Sequence, residues 1–344
     1  MKDSNMDKSS VESDSVSVNE GPPSLDPSHR VISGFWGRIL ALIIDSLCLG
    51  LIGLVLGLFL FDPLMRLGGW GRLVGFSITL VYFGLLNSKT GKGQTPGKRI
   101  MKIEVVDRSG NYLPVGRSFL RYIVLGIPFF LNGAMISPSV FFSPLGYLIG
   151  FILFGAGGAI IYLYIGNRQT RQSLHDLVVG SFVVKTIPKG QVIDAIWKPH
   201  LIVVGVWLLV VVCLSVVMTG LSKKGIFPEL IAVQKEIASS GNVHVVTVTA
   251  GKSFKVVIGG NRSETTYLQA TAIWKECPHD IEAAAQQVAA VILQKYATIM
   301  EKDVLVVTIT YGYDIGIARR WKSQHFQHSP SEWQGILAKP SVKE

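Results

Sequence analysis

The sequence predicts a membrane α-helical bundle of about five transmembrane helices, followed by a small α+β domain beyond the bilayer. Three observations carry that reading. Apolar residues make up 49% of the 344-residue chain and charged residues only 16%, against about 25% charged in ordinary soluble domains. Residues 39–61, 73–86, 122–136, 145–165 and 201–219 form five apolar runs. The net charge of +10 is unevenly placed: residues 1–33 balance at −3, 34–220 at +10 and 221–344 at +3. The surplus lies between the apolar runs, which is the signature of membrane topology and argues against a nucleic-acid partner.

The elements follow in chain order. Residues 1–33 are rich in Ser, Asp, Asn and Pro, bury too little to offset ordering, and read as a disordered tail. The run at 39–61 has one charge, Asp45, and as a helix spans roughly 34 Å, enough for a bilayer core of about 30 Å. The run at 73–86 reaches the lower limit for a span only with its flanks. The next two flank a proline-broken turn at 137–144 and read as a helical hairpin. The last, 201–219, carries no charge. The organisation expected is a tail (1–33), a bundle (34–185), a linker with the fifth span (186–220) and a C-terminal domain (221–344).

Lys and Arg set the orientation. The loop at 88–121 holds eight of them and 167–199 holds five, whereas 137–144 has none. The tail and both basic stretches are therefore expected in the cytoplasm, with residues 221–344 outside it. In that domain, residues 244–249 and 254–258 read as a hairpin around Gly251, and 265–274 as a third strand. A helix is expected over 280–302, capped by Asp280. Residues 304–311 and 315–321 read as two strands turning at Gly312.

Three sequence blocks carry chemistry. Gly34-Phe35-Trp36-Gly37-Arg38 leads into the span holding Asp45. Gly93-Gln94-Thr95-Pro96-Gly97-Lys98-Arg99 precedes Lys102 and residues 103–107. Ser173-Leu174-His175-Asp176-Leu177 leads to Gly180. In this order, separated by apolar spans, they resemble the RDD family of bacterial membrane proteins, over roughly residues 34–185. That resemblance makes Arg38 the family's arginine and Asp45 its first aspartate. The second is Asp176, or less well Asp107. It implies a location in the bacterial cytoplasmic (inner) membrane and a loosely defined transport role. One departure is Ser181, where threonine is expected.

Physical reasoning gives these residues roles of their own. Arg38 and Asp45, seven apart, share one helix face about 10 Å apart along the axis. A carboxylate at Asp45 costs about 2.5–3.5 kcal/mol in hydrocarbon and must find a donor. Arg121 and Arg117 are the preferred partners by depth, with His175 as a third. Such a set forms either an ion or proton site or a clasp that fixes helix packing. Lys92, Lys98, Arg99 and Lys102 are expected at anionic lipid headgroups. Residues 91–98 fail the Walker A spacing, since Arg99 stands where Ser or Thr would hold magnesium, and 100–106 alternates like a strand. His175-Asp176 lacks a convincing nucleophile, so no enzyme is expected. His279, His325, His328 and Cys277 do not complete a metal set. Asn261-Arg262-Ser263 matches a glycosylation sequon. No cofactor is expected. Small residues striping the spans, Gly50, Gly53 and Gly57 among them, would pack helices within the bundle or in a homo-oligomer. Two functions follow: transport or ion handling built on Arg38, Asp45 and Asp176, or a non-catalytic anchor or assembly factor whose C-terminal domain binds an extracytoplasmic protein.

Overall fold

In the computed structural model, the structure describes residues 31–137, 140, 143–186, 196–222, 227–256 and 262–339. The tail, much of the 137–144 turn, the linker around 187–195 and the sequon asparagine Asn261 lie outside these residues.

Helix α1 (Phe35–Phe59) shows why the first span is a membrane helix. Its buried residues are Arg38, Ala41, Asp45, Leu49, Gly53 and Gly57, a single stripe at spacings of three and four. Its other faces present Leu47, Leu51 and Leu58 at 64–72% exposure. Helix α2 (Phe61–Leu67) crosses to α3 (Gly71–Leu86), and α5 (Val115–Leu131) follows a loop that holds α4 (Pro96–Ile100). Helix α6 (Pro144–Gly166) contains a π turn at Phe151–Ala156, and α8 (Pro199–Ser222) runs beside it. Among the described residues, four helices are long and apolar enough to cross a membrane: Phe35–Phe59, Phe61–Leu86, Pro144–Gly166 and Pro199–Val217. The run expected at 122–136 lies in α5, which has 17 residues with Pro128 inside it.

One end of the bundle is closed by a small polar layer. Strands β1 (Ile103–Asp107) and β2 (Ser181–Lys185) pair antiparallel, with α4 and α7 (Leu174–Val179) leading into them. The expected strand at 100–106 starts three residues late because Thr95 and Pro96 nucleate α4 first, through an N-cap and a proline at the first turn. Residues 103–106 are all buried and do not alternate in exposure, since β2 covers β1 and Leu113 and Val179 pack on it.

The C-terminal domain is a four-stranded sheet in the order β3 (Val243–Val256), β4 (Arg262–Trp274), β5 (Val304–Asp314), β6 (Arg319–His328). Strands β4 and β5 are parallel, which requires the crossover helix α10 (Ile281–Lys295). Helices α9 (Phe227–Ser239), α10 and α11 (Pro330–Ala338) supply Val233, Ile292 and Trp333 to a core with Val248, Leu268 and Val307.

Three sequence expectations are corrected here. The hairpin expected around Gly251 is not formed: β3 (Val243–Val256) runs straight through Gly251, whose missing side chain makes room for the Tyr267 ring on β4. Gly312 does not turn the chain. It sits inside β5 at φ +142°, against the Arg320 carbonyl, and the turn falls at 315–318. The helix expected to 302 ends at Lys295, followed by a 3-10 turn at Ile299–Glu301.

That β5–β6 turn does not stay with its own domain. It enters the bundle between α1, α3 and α5. Tyr313 and Ile315 share a buried cluster with Leu64 of α2, joined by Phe61 and Val74. A side chain at Gly57 would strike the Tyr313 ring, one at Gly53 would reach Ala318 Cβ at 2.7 Å, and one at Gly75 would overlap the Ile315 carbonyl. The glycine stripe of α1 is thus the seat of the hairpin, which reaches about 10 Å along the helix from Gly57 towards Gly50. Close helix–helix approach occurs elsewhere: α8 lays Leu208 and Trp207 on Gly155 and Gly158 of α6.

Candidate functional site

The polar layer and the adjoining ends of α1, α3, α5 and α6 gather the three sequence blocks. Asp45 is 1% exposed and fully engaged. Its Oδ1 accepts from the Tyr82 hydroxyl at 2.8 Å and the Gly97 amide at 2.9 Å, and its Oδ2 from the Thr95 hydroxyl at 2.5 Å. The G-Q-T-P-G-K block now has a physical explanation. Thr95 caps α4, accepting from the Lys98 amide at 3.3 Å. Gly97 lies so close to α1 that a side chain there would overlap the Ala41 carbonyl. Asp45 therefore holds the start of α4 against α1 with neutral donors.

This corrects the expected pairing of Asp45 with Arg121 or Arg117. Arg121 faces Asp176, with Nη2 at 2.7 Å and Nε at 2.9 Å from Oδ1, and Ser181 donates to the same oxygen at 2.8 Å. Arg117 donates to the Val179 carbonyl at the end of α7. Depth along the span was the wrong criterion, because α7 folds back under the bundle and brings Asp176 to α5. Asp176 also closes the capping box of α7 with Ser173. Burial works to raise the Asp176 pKa. Arg121, His175 and Arg38 outweigh it and hold the carboxyl well below the usual carboxylate range.

Arg38 is 8% exposed. It donates to the Arg171 carbonyl and, at 3.2 Å, to that of Val183, and lies 3.8 Å from Asp176. Of the two candidate second aspartates, Asp176 meets Arg38, while Asp107 closes a surface turn by accepting from the Ser109 and Asn111 amides. His175 Nε2 stands 3.6 Å from Asp176, and burial pushes the imidazole down to about 3, so it is neutral at ordinary pH.

Lys98 is the correction among the expected lipid contacts. It turns inward and donates to Asn87 Oδ1. Burial, helped by Arg121 and opposed by Asp45, lowers it to about 7. Lys92, Arg99 and Lys102 are exposed, as a headgroup role requires.

Above this cluster is a cavity of about 360 Å³ whose lining includes Arg38, Asp45, Lys98, Arg121 and His175, with Ile39, Leu42, Leu125, Ile161 and Tyr164 as walls. Arg38 Nε and His175 Nδ1 are buried without a hydrogen-bond partner, an omission that costs about 1–3 kcal/mol per group. Arg38, Asp45, Arg121, His175 and Asp176 thus come together, as does Lys98, whereas Lys92, Arg99 and Lys102 stay outside. Thr95, Tyr82, Asn87 and Ser181 are the members that sequence reasoning missed. Thr95 before Pro96 was legible as a helix cap. Nothing local marked Tyr82 or Asn87, and Ser181 stood out only as a departure from the family pattern.

His325 and His328 are occupied within the C-terminal domain: His325 Nδ1 lies 2.9 Å from the Thr308 hydroxyl, and His328 packs edge-on against Trp333.

An apolar bundle closed at one end by a buried layer of Arg38, Arg121, Asp45 and Asp176 is the build of a multi-helix membrane protein. The sequence model of the RDD family matches residues 32–180, and that segment belongs to the family. Over 166 residues the chain is 25% identical to the uncharacterized protein YckC of Bacillus subtilis (strain 168), covering 47% of this chain and 91% of that protein. No solved structure matches the chain.

Proposed function

We propose that this RDD protein handles a charged solute in the membrane, as a transport or ion-handling protein, at the floor of the cavity beside Arg38. The observation that carries the reading is a pair of buried polar atoms without a partner, Arg38 Nε and His175 Nδ1, on two residues that line the cavity. Buried polar groups are satisfied as a rule, and exceptions mark places where something else binds. Asp45 and Asp176 act here as the frame: the first pins α4, the second pins α7, and together they hold the cationic groups in position. The sidedness that fits is a polar layer in the cytoplasm, where exposed Lys92, Arg99 and Lys102 meet anionic headgroups, with the C-terminal domain across a cytoplasmic membrane of bacterial type. No catalytic role is proposed.

The test is solute flux into proteoliposomes bearing the wild type, Arg38→Gln or His175→Phe. Flux that falls in both variants while the fold is retained supports the reading, and unchanged flux rejects it.

A second reading, an anchor or assembly factor, draws on the hairpin seated in the bundle, which makes the C-terminal domain a rigid extension of the membrane part and a fit platform for a protein partner. Affinity capture of one defined partner that is lost on deleting residues 227–339, with wild-type flux at background, would favour it.

A further inference from the structure

The cavity beside Asp45 has two unlike halves. Its walls are hydrocarbon from Ile39, Leu42, Leu125 and Ile161, and its floor is polar. Leu42 and Ile161 are 47% and 62% exposed, so the wall formed by α1 and α6 opens sideways, at the depth where acyl chains lie. Arg38 stands at the first turn of α1 and Tyr164 near the last of α6, which places the floor at headgroup level and the walls deeper.

The floor and its frame carry Arg38, Lys98 and Arg121 against Asp45 and Asp176, with His175 neutral. Lys98, lowered to about 7, carries its proton below that pH, and one positive charge then has no counterpart in a place where water screens poorly. Arg121 is already taken up by Asp176 and Ser181, so the surplus falls on Arg38 and Lys98. A ligand bringing one negative charge would balance it, and one that also brings hydrocarbon would cover the walls. The volume is at the lower end for small-molecule pockets of about 300–1,000 Å³, suited to one head and the start of one chain.

We propose that the cavity seats a lipid-like monoanion, its acidic head (phosphodiester or carboxylate) on Arg38 and its alkyl chain passing Leu42 and Ile161 into the bilayer. This rests on reading the floor as a charge-binding site and adds the class of solute. A zwitterionic lipid brings no net charge to the floor, and free phosphate leaves the walls bare.

The experiment uses the full chain in detergent, titrated with dioleoylphosphatidylglycerol, oleate, dioleoylphosphatidylcholine or inorganic phosphate, and read by native mass spectrometry and thermal shift. A single adduct of phosphatidylglycerol or oleate should be retained about tenfold better than phosphatidylcholine, and inorganic phosphate should give no shift. Ile161→Trp narrows the exposed rim without touching the floor. It should remove the adduct and leave the melting temperature in detergent alone unchanged. Arg38→Gln should weaken the adduct. Equal retention of the two phospholipids, or an undiminished adduct in Ile161→Trp, overturns the proposal. A shift with inorganic phosphate as large as that with phosphatidylglycerol overturns the lipid source and assigns the floor to a free anion. Ion flux without a lipid adduct removes this proposal and keeps the transport reading, whereas an adduct without flux does the opposite.

Discussion

Arg72 on α3 donates to Asp314 Oδ2 at 2.6 Å across 242 residues of sequence, and the same guanidinium reaches the carbonyls of Phe130 and Asn132 at 3.0 and 2.5 Å. One side chain thus ties the start of one bundle helix, the end of another and the hairpin of the C-terminal domain. Both partners are largely buried, at 15% and 11% side-chain exposure. Removing one partner of such a pair costs about 3 kcal/mol. Arg72→Met and Asp314→Leu should each lower thermal stability on that scale, and the double variant should cost less than their sum. Strict additivity in the cycle would show that the two residues do not act together.

Gly75 receives the Ile315 carbonyl so closely that no side chain fits. Gly75→Val should expel the hairpin at a cost of about 1–3 kcal/mol. Limited proteolysis would then cut within 314–319, where the wild type resists. Equal protection in both would mean that the hairpin finds another seat.

Asp45 depends on Thr95. Thr95→Val should destabilise by about 1–2 kcal/mol, since one hydroxyl both caps α4 and donates to the carboxylate. A double-mutant cycle should show coupling of Asp45 with Thr95 and little with Arg121. The reverse pattern would restore the ion-pair view of Asp45.

Lys98 gives a pH signature. Its ordinary value of 10.5 is lowered to about 7 in the folded protein by burial. Between those values the unfolded chain holds a proton that the folded chain has released, so unfolding takes up a proton and stability rises with pH. Below about 7 both states are protonated and the contribution is flat. The wild type should therefore gain stability relative to Lys98→Met from pH 7 towards pH 10, and not below 7. Parallel melting profiles for the two proteins would contradict the assignment.

The sheet domain has its own core, in which Leu230, Val248, Leu268, Ile292, Leu305 and Trp333 are all buried within residues 227–339. Expressed alone, that segment should fold cooperatively yet self-associate through Tyr313, Ile315 and Ile317. Ile315→Ser should make it monomeric in analytical ultracentrifugation, and Val288→Asp should abolish folding by burying an unpaired charge. A monomeric wild-type segment would mean that the hairpin folds back on its own sheet.

What the sequence could disclose divides along physical lines. Helices α1 and α8 were legible because a helix facing lipid is apolar all round, and the arginine and two aspartates stood out because charge is expensive there. The partners of those charges were not legible. Whether Asp45 meets Arg121 or Thr95 is decided by how α4 folds back, which no local pattern encodes. Helices α9 and α11 were missed for a milder reason: each is short and its apolar face is completed only by the sheet. The hairpin in the bundle was hidden most deeply, since a glycine stripe looks the same whether it receives a helix or a strand turn.

That hairpin sets an order of events in biosynthesis. Asp314 is made 242 residues after Arg72, and at about 5–20 residues per second that is a delay of roughly 12–50 s. Through this interval α3 and α5 are already synthesised while the place for Ile315 is vacant. The bundle is finished only when the ribosome has supplied the last strands of the sheet. A chain cut short before that point would leave the seats at Gly53 and Gly57 on α1 and at Gly75 on α3 unfilled.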